Sequence, residues 1–179
     1  MYGHTEYNGF IIYKKQTECD CVPACVVSIL NSHGESYDLK KAIDFAWEKE
    51  YMEPLFSIRK ERRGGMNPAR IPFFIKHLTD GKYRATLKTD PITSLECDRE
   101  VMNRLASEKM LELVSNYVFE ILSNEEMPLI VGLGDHAVVL LEINDTVVYG
   151  NPDGGLIIKS NKKNFKKDFD HFSVKIKKS

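Results

Sequence analysis

The stretch Gln16-Thr17-Glu18-Cys19-Asp20-Cys21-Val22-Pro23-Ala24-Cys25 carries the residue types needed for a reactive thiol. Cys21 reads as a nucleophile at the N-terminus of a buried helix. Asp20 is a good N-cap type, because its carboxylate can accept from a free amide of the first turn. Pro23 falls in that first turn, where its missing N–H costs nothing. From Val22 to Leu30 nearly every residue is apolar, which predicts a helix covered on most sides. The positive end of such a helix favours the thiolate, the reactive form of cysteine. Two partners lie far downstream. His136 opens the strand-like run Ala137–Leu141, and Asn151 closes the run Val147–Tyr149-Gly150. Adjacent antiparallel strands would bring both side chains to one end of a sheet. A thiol, an imidazole that takes its proton and a third group that orients the imidazole make up a nucleophilic triad. The Cys21 sulfur and a His136 ring nitrogen are then expected within about 4 Å of each other.

With Gln16, Asp20-Cys21, Pro23-Ala24-Cys25, His136 before Val138-Val139, and Asn151-Pro152, the chain resembles the bacteriocin-processing, double-glycine leader peptidases and their stand-alone relatives. Ser160-Asn161-Lys162-Lys163-Asn164-Phe165 matches the short helix that follows the last hairpin in that family. The resemblance covers most of the chain except about Thr89–Glu126. It implies a papain-like α+β fold and a cysteine peptidase with Cys21, His136 and Asn151 as its triad. It also implies Gln16 as an oxyanion-hole donor. No metal or organic cofactor is implied, and the substrate is a peptide or protein, cut after small residues such as glycine. The chain departs from the family in having Val22 after the nucleophile instead of glycine, one residue fewer between Gln16 and Cys21, and Asn151 instead of aspartate before Pro152. The same thiol chemistry serves acyl transfer and glutamine deamidation, as in a toxin or effector. Val22 favours a further alternative, an inactive domain that binds peptides. Asp153 competes with Asn151 for the orienting role.

Composition bounds these readings. The 179 residues suit one domain, 1–179, with a sizeable core. A net charge of −1 gives no general attraction to nucleic acid. No apolar run is long enough to span a bilayer. Met1–Glu6 lacks the basic and apolar regions of a secretory signal, and the four cysteines are then expected to be reduced in the cytoplasm. Export as an effector stays open, and a stand-alone relative is expected instead of the transporter-fused form.

The elements that must position the triad follow from periodicity. Helices are expected at Asp20–Ser32, Asp38–Tyr51, Asn67–Thr79 and Lys162–Asp168. Strands are expected at Gly9–Tyr13, Tyr83–Leu87, Leu129–Leu133, Ala137–Ile143, Val147–Tyr149, Leu156–Lys159 and Phe172–Ile176, with a hairpin turn at Asn144-Asp145. Arg59–Gly65 reads as an exposed loop. In Ser94–Ser123, Met102, Leu105, Leu113, Tyr117 and Ile121 recur at helical spacing, which predicts one long helical insertion over about 89–126. That helix is expected to cover a flank of the helical half near the cleft, to extend the substrate groove or to make a homodimer. Helices first and an antiparallel sheet second is α+β architecture.

The bland readings differ by residue. A buried helical cysteine is ordinarily inert core, and Cys25, one turn after Cys21, is read so. Cys19 reads as a loop cysteine. Cys19, Cys21 and Cys25 match no standard zinc spacing. His4, His33, His77 and His171 have no companion pattern. Asp135 reads as solvent-facing, Gly64-Gly65 as loop flexibility and the C-terminal lysines as a solvated face.

Overall fold

The computed structural model describes residues 4–17, 19–54, 63–92, 98–134 and 136–179. The chain opens with a hairpin, β1 (His4–Tyr7) and β2 (Phe10–Tyr13), and enters α1 (Cys21–Ser32). Two serines on α1 explain how β2 is held. Ser28 Oγ accepts from Tyr13 N–H at 3.0 Å and Ser32 Oγ from Ile11 N–H at 3.0 Å, which satisfies edge amides of β2. Then follow α2 (Leu39–Glu48), a short hairpin of β3 (Met52–Pro54) and β4 (Arg63–Met66), a 3-10 turn (Pro68–Arg70) and α3 (Ile71–Leu78). Asn67 caps the 3-10 turn by accepting from Ala69 N–H at 3.0 Å. Of the loop expected at Arg59–Gly65, residues 59–62 lie outside the described residues, and the rest belongs to β4.

The second half is the main sheet. After β5 (Tyr83–Thr89) come α4 (Arg99–Ser107), β6 (Leu111–Leu113) and α5 (Phe119–Leu122). The chain then forms β7 (Leu129–Leu133), β8 (Ala137–Ile143), β9 (Thr146–Asn151), β10 (Leu156–Asn161), α6 (Lys162–Asp168) and β11 (Phe169–Lys178). Among the described residues, seven strands pair in the order β10-β9-β8-β7-β11-β5-β6, antiparallel except for the β5–β6 pair. Side chains alternate faces along a strand. Ile130, Ala137, Val139, Val174 and Ile176 therefore join α1, α2 and α3 in one core. Leu129, Val131, Val138, Leu140 and Val147 form a second core on the opposite face. Each fully buried Val, Leu, Ile or Phe is worth roughly 1.5–3 kcal/mol. The sheet is thus held between two layers, and α1 is fixed against one of them.

The expected single helix over Ser94–Ser123 is not formed. Ser94 itself lies outside the described residues. From Asp98 the chain makes a capped helix, α4, with Asp98 accepting from Glu100 N–H at 2.8 Å, then an edge strand, then the short α5. Tertiary pairing overrides the helical period, because Leu111–Leu113 gains backbone hydrogen bonds alongside Leu87–Thr89. The stripe is split accordingly. Met102 and Leu105 enter the core beside α3, where the Arg104 guanidinium sits 4.6 Å from the Phe73 ring centroid. Tyr117, Phe119 and Leu122 pack against Phe165 and Phe169 on the other face of the sheet. Leu113 belongs to neither core and is 51 % exposed. The expected cover on the flank of the helical half is therefore supplied by α4 alone. No helix among the described residues is long and apolar enough to cross a membrane.

This division sets a stability test. In urea unfolding, Leu105→Ala is expected to lose about 2–5 kcal/mol, the cost of a core cavity. Leu113→Asp is expected to stay within about 0.5 kcal/mol of wild type, as a surface change.

Candidate active site

Cys21 is the first residue of α1 and is 8 % exposed. The Asp20 side chain does not cap this helix, contrary to the sequence expectation. Its Oδ2 accepts instead from Thr17 N–H at 2.9 Å and from Thr17 Oγ1 at 2.8 Å, and its Oδ1 is buried with no hydrogen-bond partner among the described residues. The physical reason is local. A tight turn at Thr17–Asp20 brings a hydroxyl and an amide to the carboxylate before the first-turn amides can compete for it. The consequence is chemical: the first-turn N–H groups of α1 keep their positive end for the thiol side of the site.

His136 stands immediately before β8, and Asn151 is the last residue of β9. The antiparallel register, Val139 opposite Gly150, carries both to the same end of the sheet. His136 Nε2 lies 2.8 Å from Asn151 Oδ1. Because a carbonyl oxygen only accepts, Nε2 carries the proton, and Nδ1 is the nitrogen left for the Cys21 thiol. Cys21 and His136 line the same cleft, close enough for each to shift the other's protonation. Asn151 Oδ1 also accepts from Asp153 N–H at 2.9 Å, which fixes the amide's orientation. Asp153 stands close by: its Oδ2 is 3.7 Å from His136 Nε2 while its other oxygen pairs with Lys15 Nζ. Both candidates for the third position therefore flank the imidazole, with Asn151 in hydrogen-bond contact.

The electrostatics suit an activated thiol. Burial pushes the Cys21 thiol up, but the hydrogen bond with His136, the Ala137 amide and the charges of His136 and Lys15 outweigh it and hold the group below the ordinary cysteine range. Burial pulls His136 down, and its hydrogen bonds with Cys21 and Asn151 and the charges of Cys21 and Asp153 more than reverse that. The pair is thus biased toward thiolate and imidazolium. Cys25 shows the contrast. Burial, with Cys21 nearby, raises its thiol well above the usual range, and its Sγ donates to Ala137 O at 3.4 Å.

Cys21 and His136 open onto a cleft of about 550 Å³. One wall is Val22, Gly65, Met66, Pro68 and Ile71, from α1, β4, the 3-10 turn and the start of α3. The other holds Gly134 and the β11 residues Phe169–Phe172. There β11 is bulged between Phe169 and Ser173, and His171 has φ +57°. His171 Nδ1–H donates to Tyr117 O at 2.8 Å, so the segment after β6 buttresses the bulge that walls the cleft. Gly132 is required opposite it, because a Cβ there would meet Phe172 and Asp170. Gln16 lies exposed in the turn before α1 and does not line the cleft. Asp135 lies outside the described residues. Sequence reasoning did not find Lys15, Asp170 or His171; none sits in a motif, and only the folding of distant turns brings them to the site.

No family model matches the chain, and no curated protein is similar to it in sequence. Solved structures are similar in fold. One is the peptidase domain of Streptococcus ComA, a bifunctional ABC transporter involved in quorum sensing, at 14% identity, TM-score 0.57, over 93% of this chain and 96% of that one. Another is a double-glycine-motif protease of an AMS/PCAT transporter, solved with its leader peptide, at 12% identity, TM-score 0.60, over 99% of this chain and 94% of that one. The architecture is therefore the papain-like cysteine peptidase fold.

The contrast between thiols gives a direct prediction. In brief iodoacetamide treatment of the native protein near neutral pH, peptide mapping should find Cys21 modified before Cys19 and Cys25 left unmodified. His136→Ala should slow Cys21 modification without exposing Cys25.

Proposed function

We propose that the protein is a cysteine peptidase that hydrolyses peptide bonds through Cys21, His136 and Asn151. The observation that carries this reading is that Cys21 and His136 line one cleft, with His136 hydrogen-bonded to Asn151 and Cys21 at a helix N-terminus that has no side-chain cap. The thiolate attacks the scissile carbonyl carbon, forming a C–S bond and an oxyanion. The Cys21 backbone N–H is the donor we assign to that oxyanion; Gln16, which the resemblance implies for this role, lies exposed outside the cleft. The oxyanion collapses, the C–N bond breaks, and the imidazolium gives its proton to the leaving amine. Water, deprotonated by the now neutral His136, then hydrolyses the thioester and regenerates the thiol. Asn151 keeps the imidazole in the tautomer these steps need.

The substrate is a peptide or protein. The neighbour solved with a leader peptide is a double-glycine-motif protease, which favours small residues at the cut. The first two steps also serve acyl transfer or glutamine deamidation, which differ in the acceptor and in the group released.

A peptide library incubated with the protein and read by mass spectrometry tests the proposal. Hydrolysis gives fragment pairs whose masses sum to the parent plus one water. These should vanish with Cys21→Ala and fall by roughly 10²–10⁴ in kcat/KM with His136→Ala. Deamidated or transferred products without fragments would replace the peptidase reading. Equal peptide binding by wild type and Cys21→Ala with no product at all would identify a binding module.

A further inference from the structure

Lys15 and Asp153 lie at the edge of the site, in two turns distant in sequence. Lys15 ends the segment that runs into Gln16; Asp153 follows Asn151 and Pro152. Their side chains form an ion pair, and Asp153 Oδ2 stands 3.7 Å from His136 Nε2. The Lys15 side chain is only 16% exposed, against 51% for Asp153. The backbones are joined too. Lys15 N–H donates to Pro152 O at 2.8 Å, and a Cβ at Gly155, where φ is +64°, would stand 3.2 Å from the Lys14 nitrogen. The Gln16 turn is fixed at its other side by the bonds of Thr17 to Asp20.

A half-exposed ion pair ordinarily contributes little to stability. This one is placed where its charges act on the reaction. We infer that Lys15 and Asp153 are positioning residues of the catalytic site: Asp153 is a second, charged partner of the His136 imidazolium, Lys15 sets how much of that charge the site feels, and the pair latches the Gln16 turn to the Asn151 turn. This rests on the peptidase reading above. It makes the orienting group composite, with Asn151 supplying direction and Asp153 supplying charge.

The charged and titratable groups around Cys21 and His136 are Lys15 from the turn before α1, Asp20 and Cys25 on either side of Cys21 in sequence, Asp153 from the turn after β9, and Asp170 and His171 across the cleft on β11. Among them Lys15 favours the Cys21 thiolate and Asp153 favours the His136 imidazolium. The signs of the variants follow. Removing a cation makes every neighbouring proton harder to lose, and removing an anion makes it easier.

The test is the pH profile of Cys21 alkylation by iodoacetamide, read by peptide mapping, in wild type, Lys15→Met, Lys15→Arg, Asp153→Asn and the Lys15→Met/Asp153→Asn double variant. Lys15→Met should move the acid limb to higher pH, with alkylation on that limb slower on the order of threefold. Asp153→Asn should move the acid limb and the imidazolium limb to lower pH. The double variant should lie between the two single ones, and Lys15→Arg should keep the wild-type profile. If Cys21 is reactive but both single variants only scale the rate at every pH, the inference is wrong and the peptidase reading stands. If wild-type Cys21 shows no reactivity below the ordinary cysteine range, the peptidase reading fails and this inference fails with it.

Discussion

The proposed chemistry depends on the contact between the N-terminus of α1 and the start of β8. A buried thiol at a helix start is unremarkable until an imidazole meets it. Here the meeting is enforced from both sides. The apolar residues of α1 lock the helix onto one face of the sheet, so the position of Cys21 is set by core packing and not by a loop. The antiparallel register of β8 and β9 then sets where His136 and Asn151 fall. A slip of one residue in that register would turn His136 to the other face. The packing that holds the fold is thus the packing that brings Cys21, His136 and Asn151 to one end of the sheet.

The Asp20 carboxylate shows how the local chain serves that contact. As a side-chain cap it would neutralise the helix end beside the thiol. Bound to Thr17 instead, it holds the chain just before α1 and leaves the helix end unblocked. The cost is a buried oxygen, Oδ1, with no hydrogen-bond partner among the described residues. Such groups persist where the surrounding structure holds them in place.

The strands from Leu129 onward, the nucleophile helix and the terminal helix at Lys162–Asp168 were legible from the sequence, because each has a clean period and marked ends. Order and context marked Cys21, His136 and Asn151 as a candidate set, and the fold brings them to one end of the sheet. What failed is instructive. Over Ser94–Ser123 the apolar spacing fits a helix, yet its residues serve two cores on opposite faces of a sheet, and a sequence period does not say which face each residue meets. Asp20 departs from the capping expectation because capping propensity does not include competition from a nearby hydroxyl. Lys15 and His171 were invisible because their roles come from distant partners, Asp153 and Tyr117 O. The same segment supports the bulged wall of the cleft, through the bond of His171 to Tyr117 O.

The proposed chemistry requires that Cys21 and His136 be coupled as a thiolate–imidazolium pair. Nuclear magnetic resonance of the His136 ring, titrated before and after Cys21 is blocked by methylthiolation, measures it directly. The account predicts an imidazolium that persists above the ordinary histidine range in the free protein, because the thiolate beside it favours the charged ring, and that loses its proton at lower pH once the sulfur is blocked. A His136 that titrates in the ordinary range and is indifferent to blocking of Cys21 would contradict it.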